Sequence, residues 1–384
     1  MLPTKLQKII DENKTLLFVG VMSKNVVDAA IEISDEYNVP ITLIASRRQV
    51  DSEKTGGGYA NKWNTKTFSQ YVKKKSKLKN IFLARDHGGP WQGNIEIKKK
   101  YTLTKAMKSA RDSFKDDIDN NFDFIHIDTS ESIFPVSKKQ AYDRLCSLYS
   151  FCDSYAKRKK KKIFFEIGTE EQSGFSGNLK DFSNTLQQFK NFCVKKKLQW
   201  PSFVVAQCGT KVMETKNIGT FETFYNIKNE LPVEITLFKT LDVCKENEII
   251  MKEHNADYLN NGSLQWHPRL GLQAVNVAPE FGVAETKSLL KCLKQYNLKN
   301  ELSDFIKIAN ESGKWIKWVM EHSKKSPKDK AIISGHYVFS DPKVIEIKDK
   351  LSLTMKKNKL DLDYILKDSI KKVILRYLTS FRIL

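Results

Sequence analysis

The chain has 384 residues, 40% of them hydrophobic, and its 65 Lys and Arg against 45 Asp and Glu give a formal net charge of +20. No apolar run approaches the ~18 residues that a bilayer-spanning helix needs, and the first residues lack the apolar core of a secretory signal, so no membrane association and a cytoplasmic location are expected. The charge could suggest a nucleic-acid partner, but only nine of the basic residues are Arg, and lysines on the polar faces of helices describe a solvated surface better than a bidentate phosphate- or base-reading one.

In chain order, short apolar runs alternate with amphipathic stretches. The runs fall at residues 16–21, 41–46, 81–87, 124–129, 163–168, 203–209, 248–254 and 273–279. Helical periodicity lies between them at 25–37, 65–78, 101–117, 137–157, 179–197 and 220–231. Such alternation predicts a parallel sheet with helical crossovers. Nearly every run ends in polar residues: Ser46-Arg47-Arg48-Gln49, Asp86-His87, His126-Ile127-Asp128, Glu166 to Glu171, Gln207-Cys208-Gly209, Glu253-His254 and Asn276. A doubly wound sheet concentrates function at one switch point, whereas a closed barrel brings all its strand ends to one mouth. The expected fold is therefore a (β/α)8 TIM barrel over residues 1–290, followed by a helical extension, 291–384, packed on it. Beyond the eighth run, helices are expected at 286–296, 301–321, 341–353 and 360–378, with Ser340 or Asp341 as an N-cap and Pro342 at the first helical position. The six cysteines form no C-x-x-C pair, so reduced thiols and no structural zinc module are expected.

Seven segments stand out in order: Gln49-Val50 with Gly56-Gly57-Gly58-Tyr59, Asp86-His87-Gly88-Gly89-Pro90, Ile125-His126-Ile127-Asp128, Ile167-Gly168-Thr169-Glu170, Gln207 with Gly209, His254 with Asp257-Tyr258, and the His336-Tyr337 to Pro342 turn. Together they resemble the class II tagatose-bisphosphate aldolases, in particular the larger, so-called non-catalytic subunit of the two-component enzymes. The resemblance implies a zinc ion, or another divalent cation, that polarises a ketose carbonyl while a carboxylate moves the hydroxyl proton. It places metal ligands at His87 and His254, with Gln207 and Cys208 where the third histidine of the pattern would stand. Asp86 is then the acid/base, and Glu170 and Asp128 are further catalytic candidates. Substrate-binding candidates are Ser46, Arg47, Gln49, Gly57, Gly58, Tyr59 and Asn276.

The residues read on their own temper parts of that picture. Glu166, Glu170 and Glu171 form a carboxylate cluster after an apolar strand, where they would raise one another's proton affinity or complete a hard cation site. His126, alone in an apolar strand, reads as a hydrogen-bonded core residue and stays outside the ligand set. Asn276 is followed by Val277-Ala278-Pro279-Glu280, poor company for a phosphate dianion, so either phosphate meets the glycines 56–58 or Arg47 instead, or the substrate lacks phosphate at that end. Three functions stay open. They are a metal-dependent aldolase acting on a sugar or sugar phosphate, a sugar epimerase using retro-aldol chemistry, and a non-catalytic subunit stabilising a smaller aldolase partner. A homo-oligomer is a further expectation.

Overall fold

The structure is a computed structural model that describes residues 2–168, 179–206, 209–222 and 233–384. Each of the eight apolar runs contains a strand: Leu16–Gly20, Ile41–Ser46, Ile81–Gly88, Phe124–Asp128, Phe164–Gly168, Phe203–Ala206, Ile250–Glu253 and Ala274–Val277. Among the described residues these pair in parallel and in sequence order, and the first strand closes on the last through Leu16 opposite Ala274 and Val19 opposite Val277. The barrel is the (β/α)8 kind expected. A small antiparallel hairpin, Val212–Met213 with Lys216–Asn217, follows the sixth strand.

Strands buried on both faces need apolar side chains outward and a packed filling inward. Outward residues such as Val19, Leu43, Ile125, Ile127, Phe165, Val204 and Met251 belong to the large core beneath the helices. Inward, Phe18, Phe124, Phe164 and Phe203 form an aromatic floor, sealed from below by Leu2, Leu6 and Ile9 of the N-terminal segment. Residues two further along a strand share its face, so His126 and Glu166 stand directly above Phe124 and Phe164 and are register partners across the fourth and fifth strands.

One helical expectation lies mostly outside the described residues and another is corrected. Of the helix expected at 220–231, residues 223–231 lie outside the described residues and Thr220–Glu222 is a 3-10 turn; an α-helix spans Val233–Glu246. The helix placed at 301–321 stops at Glu311, because Gly313 turns the chain into the left-handed region at φ 64°, and a 3-10 turn, Ile316–Trp318, follows. The turn before 342 behaves as read: Asp341 caps helix Pro342–Lys356, accepting from the Lys343 amide, with Pro342 in its first turn.

The proposed boundary at residue 290 falls within helix Pro279–Gln295. Leu289, Leu293, Phe305, Val344, Leu351, Met355 and Leu366 form a separate satellite core. The C-terminal helix, Leu362–Ser380, lies against helices Lys24–Tyr37 and Pro279–Gln295, and its Ile370, Ile374, Tyr377 and Leu378 join the barrel's own core. No described helix is long and apolar enough to cross a membrane.

Candidate active site at the barrel mouth

At the third strand end the ladder to the fourth strand shifts register between Arg85 and Gly88. His87 sits there at φ 44°, a conformation costly for a residue with a Cβ. Alternation along a regular strand would send Asp86 and His87 to opposite faces; the bulge lets both line the same cavity. The turn that follows needs glycine, since a Cβ on Gly89 would lie 1.8 Å from the Asp128 carbonyl oxygen.

The mouth holds a cavity of about 390 Å³. Its base carries Asp86, His87, His254 and Asn276, with Ser46, Gln49, Tyr59 and Asp257 on the walls. Deeper still lie His126, 1% exposed, and Glu166, fully buried. Donor atoms of Asp86, His126 and His254 all lie within 4.8 Å of one another. His126 Nδ1 is 3.8 Å from Asp86 Oδ1 and 3.6 Å from Glu166 Oε1, and His254 Nε2 is 3.9 Å and 3.6 Å from the same two oxygens. Donors around a tetrahedral zinc sit about 3.4 Å apart, from metal–ligand bonds of about 2.1 Å. Among the described residues Glu166 Oε1 and Asn276 Oδ1 are buried without a hydrogen-bond partner. Asp86, His126 and His254, with the unsatisfied Glu166 oxygen beside the two imidazoles, are the residues that would hold a divalent ion.

His87, which the resemblance gives as a metal ligand, stands outside the three-residue donor cluster. Its ring is 5.0 Å from that of His254, centroid to centroid, but its Nδ1 is bound to Asp128 Oδ2 at 2.6 Å and its Nε2 faces Asp86 Oδ2 at 3.8 Å. Asp128 is itself fixed by Gln92 Nε2 at 2.9 Å and by the Ser130 amide at 2.9 Å. His126, which reads from sequence as a core residue, is buried and also turned into the donor cluster. Its ring packs over Gly168, where a Cβ would come within 2.5 Å of Nε2, and its Nδ1 also receives the His87 amide at 3.2 Å.

Burial opposes charge on every group here, and neighbours decide the outcome. Burial would raise Asp86 and Asp128, yet the histidines around them hold both carboxyls far below the usual range. Burial would lower His87, but Asp86 and Asp128 push it up to about 9. His254 stays under the control of burial, which brings it down to about 4. Glu166, resisted by burial, is drawn to about 2 chiefly by Lys252, a lysine 1% exposed whose Nζ lies 2.7 Å from Glu166 Oε2 and 3.9 Å from the Phe18 ring centre.

The other expected residues divide. Ser46, Gln49, Tyr59 and Asn276 line the cavity, and Asn276 Nδ2 donates to Asp86 Oδ1 at 3.1 Å and contacts His254 Nε2 at 3.0 Å. Arg47 does not. Its side chain is buried away from the cavity, with Nε 3.0 Å from Asp51 and Nη1 2.6 Å from Glu96; its neighbour Arg48 faces the cavity instead. Gly57 and Gly58 are not among the lining residues either, and Gly58 is pressed on the Gln49 carbonyl, where a Cβ would sit at 2.0 Å. Glu170, Gln207 and Cys208 lie outside the described residues. Sequence reasoning gave no place in the site to Lys252, or to the wall residues Lys314, Lys317, Trp318 and Tyr337 supplied by the extension.

A closed eight-stranded parallel barrel with acidic and imidazole side chains converging at the carboxyl ends of its strands is a TIM barrel with a candidate site where such barrels carry theirs. The match to the family described as D-tagatose-1,6-bisphosphate aldolase subunit GatZ/KbaZ-like runs over residues 6–219, and the chain belongs to that family. No curated protein matches the chain in sequence. Its fold is shared with a probable tagatose 6 phosphate kinase from Sinorhizobium meliloti at TM-score 0.75 and 13% identity, covering 96% of this chain and 100% of that one. It is also shared with fructose-bisphosphate aldolase from Campylobacter jejuni, at TM-score 0.55, 12% identity and coverages of 98% and 92%. Fructuronate-tagaturonate epimerase from Cohnella laeviribosi is similar as well, at TM-score 0.56, 9% identity and coverages of 96% and 81%.

Proposed function

We propose that the chain is a divalent-metal-dependent, aldolase-type enzyme that makes or cleaves a carbon–carbon bond in a sugar or sugar phosphate. The observation that carries this reading is the convergence of Asp86, His126 and His254 donors within 4.8 Å of one another at the base of an open cavity. These residues, with Glu166 Oε1 beside them, would hold the ion; when bound, it supplies Lewis-acid polarisation of a carbonyl.

The chain's own groups manage the protons. Asp128 accepts from His87 Nδ1 and so fixes the ring with Nε2 toward the cavity. His87 Nε2 is the atom from which a proton would pass to a substrate oxygen, and without an ion Asp86 and Asp128 push its pKa up to about 9. Asp86 Oδ2, ionised and 3.8 Å from that nitrogen, is placed to take a hydroxyl proton. Asn276 orients Asp86 Oδ1, and Gln49, held by accepting the Ser46 amide at 2.7 Å, forms a polar wall for hydroxyl groups.

A second reading has its own support. Lys252 already neutralises Glu166 at 2.7 Å, and a fixed ammonium beside the donor set works against a dication. That favours a non-catalytic subunit of a two-component aldolase. Cleavage of D-tagatose 1,6-bisphosphate, followed after chelation and after re-addition of zinc, manganese or magnesium, separates the two. The enzyme reading predicts turnover lost with the metal and regained with it, in wild type and not in His254→Ala. Absence of turnover with every metal, for this substrate and other ketose phosphates, would defeat it. Epimerisation shares the same residues, and product NMR would show it as an isomer formed without a three-carbon fragment.

A further inference from the structure

The cavity is electrostatically lopsided, and its far wall comes from outside the barrel. Its base is acidic and imidazole-rich, whereas the outer wall carries Arg48, Lys314 and Lys317, opposed among the described lining residues by Glu131. The Arg48–Glu131 contact is loose, at 3.4 Å with both side chains partly exposed, and Arg48 Nε is buried without a partner among the described residues. Lys317 lines the same cavity wall and is exposed overall, and local burial with Arg48 nearby lowers its pKa to about 8. Its nearest aromatic neighbour is Trp318, whose ring centre lies 4.4 Å from Nζ. The Trp318 indole donates to Tyr337 Oη at 3.1 Å. The Tyr337 hydroxyl therefore keeps its own proton to give, and it has no acceptor among the described residues. Like charges crowded together with unspent donors are costly unless an anion joins them.

We infer that Arg48 and Lys317, with the Tyr337 hydroxyl, form a subsite for the anionic terminus, phosphate or carboxylate, of an open-chain sugar whose other end lies at the donor cluster. A cavity of about 390 Å³ accommodates a molecule of that size. Two of the three groups come from the C-terminal extension, so the extension sets which sugars the barrel accepts. The inference rests on the reading of the barrel mouth as a sugar site, but its test does not depend on catalysis.

The test is calorimetric titration of the full chain with three unreactive polyols: sorbitol, gluconate and sorbitol 6-phosphate. One or both anions should bind about ten-fold or more tighter than sorbitol, as charge-assisted hydrogen bonds require; whichever is tighter identifies the terminus. Lys317→Met and Arg48→Met should each erase most of that preference, while Lys317→Arg keeps it, with thermal stability and bound metal as in wild type. Equal binding of all three polyols, binding of none, or a preference that survives both Met variants would overturn the inference. If the chain holds no metal yet prefers the anions, the metal reading fails and the subsite stands.

Discussion

Lys252→Met isolates the deepest charge in the molecule. Lys252 and Glu166 are 1% and 0% exposed, and they meet at 2.7 Å above the aromatic floor. Removing the ammonium leaves a buried carboxylate whose other oxygen has no hydrogen-bond partner among the described residues, beside a His254 that burial keeps neutral at pH 7. Breaking a buried pair from one side costs about 3–5 kcal/mol, so the variant should lose about that much in urea unfolding at pH 7. The pH dependence follows from Glu166. In wild type its folded pKa, about 2, lies below the unfolded value, so its contribution is present above ~4.5 and lost as pH falls toward 2. Without Lys252 burial should lift that pKa above ~4.5, and the deficit against wild type should grow from pH 4 to 7. Adding Glu166→Gln should recover most of the loss, because a neutral amide costs less to bury than an unpaired carboxylate. A Lys252→Met variant within about 1 kcal/mol of wild type, or a double variant that is simply additive, would refute the reasoning.

The adjacent arginines should separate cleanly: Arg47→Ala should lower stability by about 3 kcal/mol or more in denaturant unfolding, since it strands Asp51 and Glu96, whereas Arg48→Ala should leave the unfolding midpoint near wild type and weaken ligand binding. Asp257, buried and fixed by the Ala278 and Glu280 amides at 3.0 and 2.9 Å, is raised to about 7, first by burial and then by Glu280. Its protonated form favours the fold below the unfolded pKa, and stability is lost as pH rises toward 7. Between pH 6 and 8 that loss is about 1.4 kcal/mol, and thermal melts should show it in wild type and lack it in Asp257→Asn. The His87 imidazole, followed by NMR in metal-free protein, should titrate near 9 and move down in Asp128→Asn; a wild-type value near 6.5 would contradict the Asp128 clamp. Gly168→Ala should displace His126, into which its Cβ would project at 2.5 Å, and weaken divalent binding in equilibrium dialysis.

The barrel was legible because its signals are local and repeated. Each strand is a short apolar run with a polar end, and parity along the fourth and fifth strands places Phe124, His126, Phe164 and Glu166 on one inner face. What escaped depends on geometry that composition does not carry. His126 reads as a core residue, and it is one; only its register opposite Glu166 shows that it also faces the donor cluster. Lys252 hides in a run, Ile250–Glu253, where a lysine on an edge would simply reach solvent. Between Arg47 and Arg48 the choice rests on how the chain turns after Ser46, where the Gln49 and Val50 amides fold back on the Ser46 carbonyl. The distribution of polar residues at 301–321 continues past Gly313, but the backbone does not. The extension's share of the cavity wall was invisible for a different reason, since nothing in residues 314–318 or 337 indicates that they fold over the barrel mouth.

The most direct test of the account is the divalent-metal content of the purified chain, measured by elemental analysis after dialysis against zinc, manganese or magnesium and repeated for His126→Ala and His254→Ala. A site built from Asp86, His126 and His254 predicts about one equivalent per chain in wild type and a marked loss in both variants. Wild-type protein that retains no divalent ion, or variants that retain as much as wild type, would contradict it.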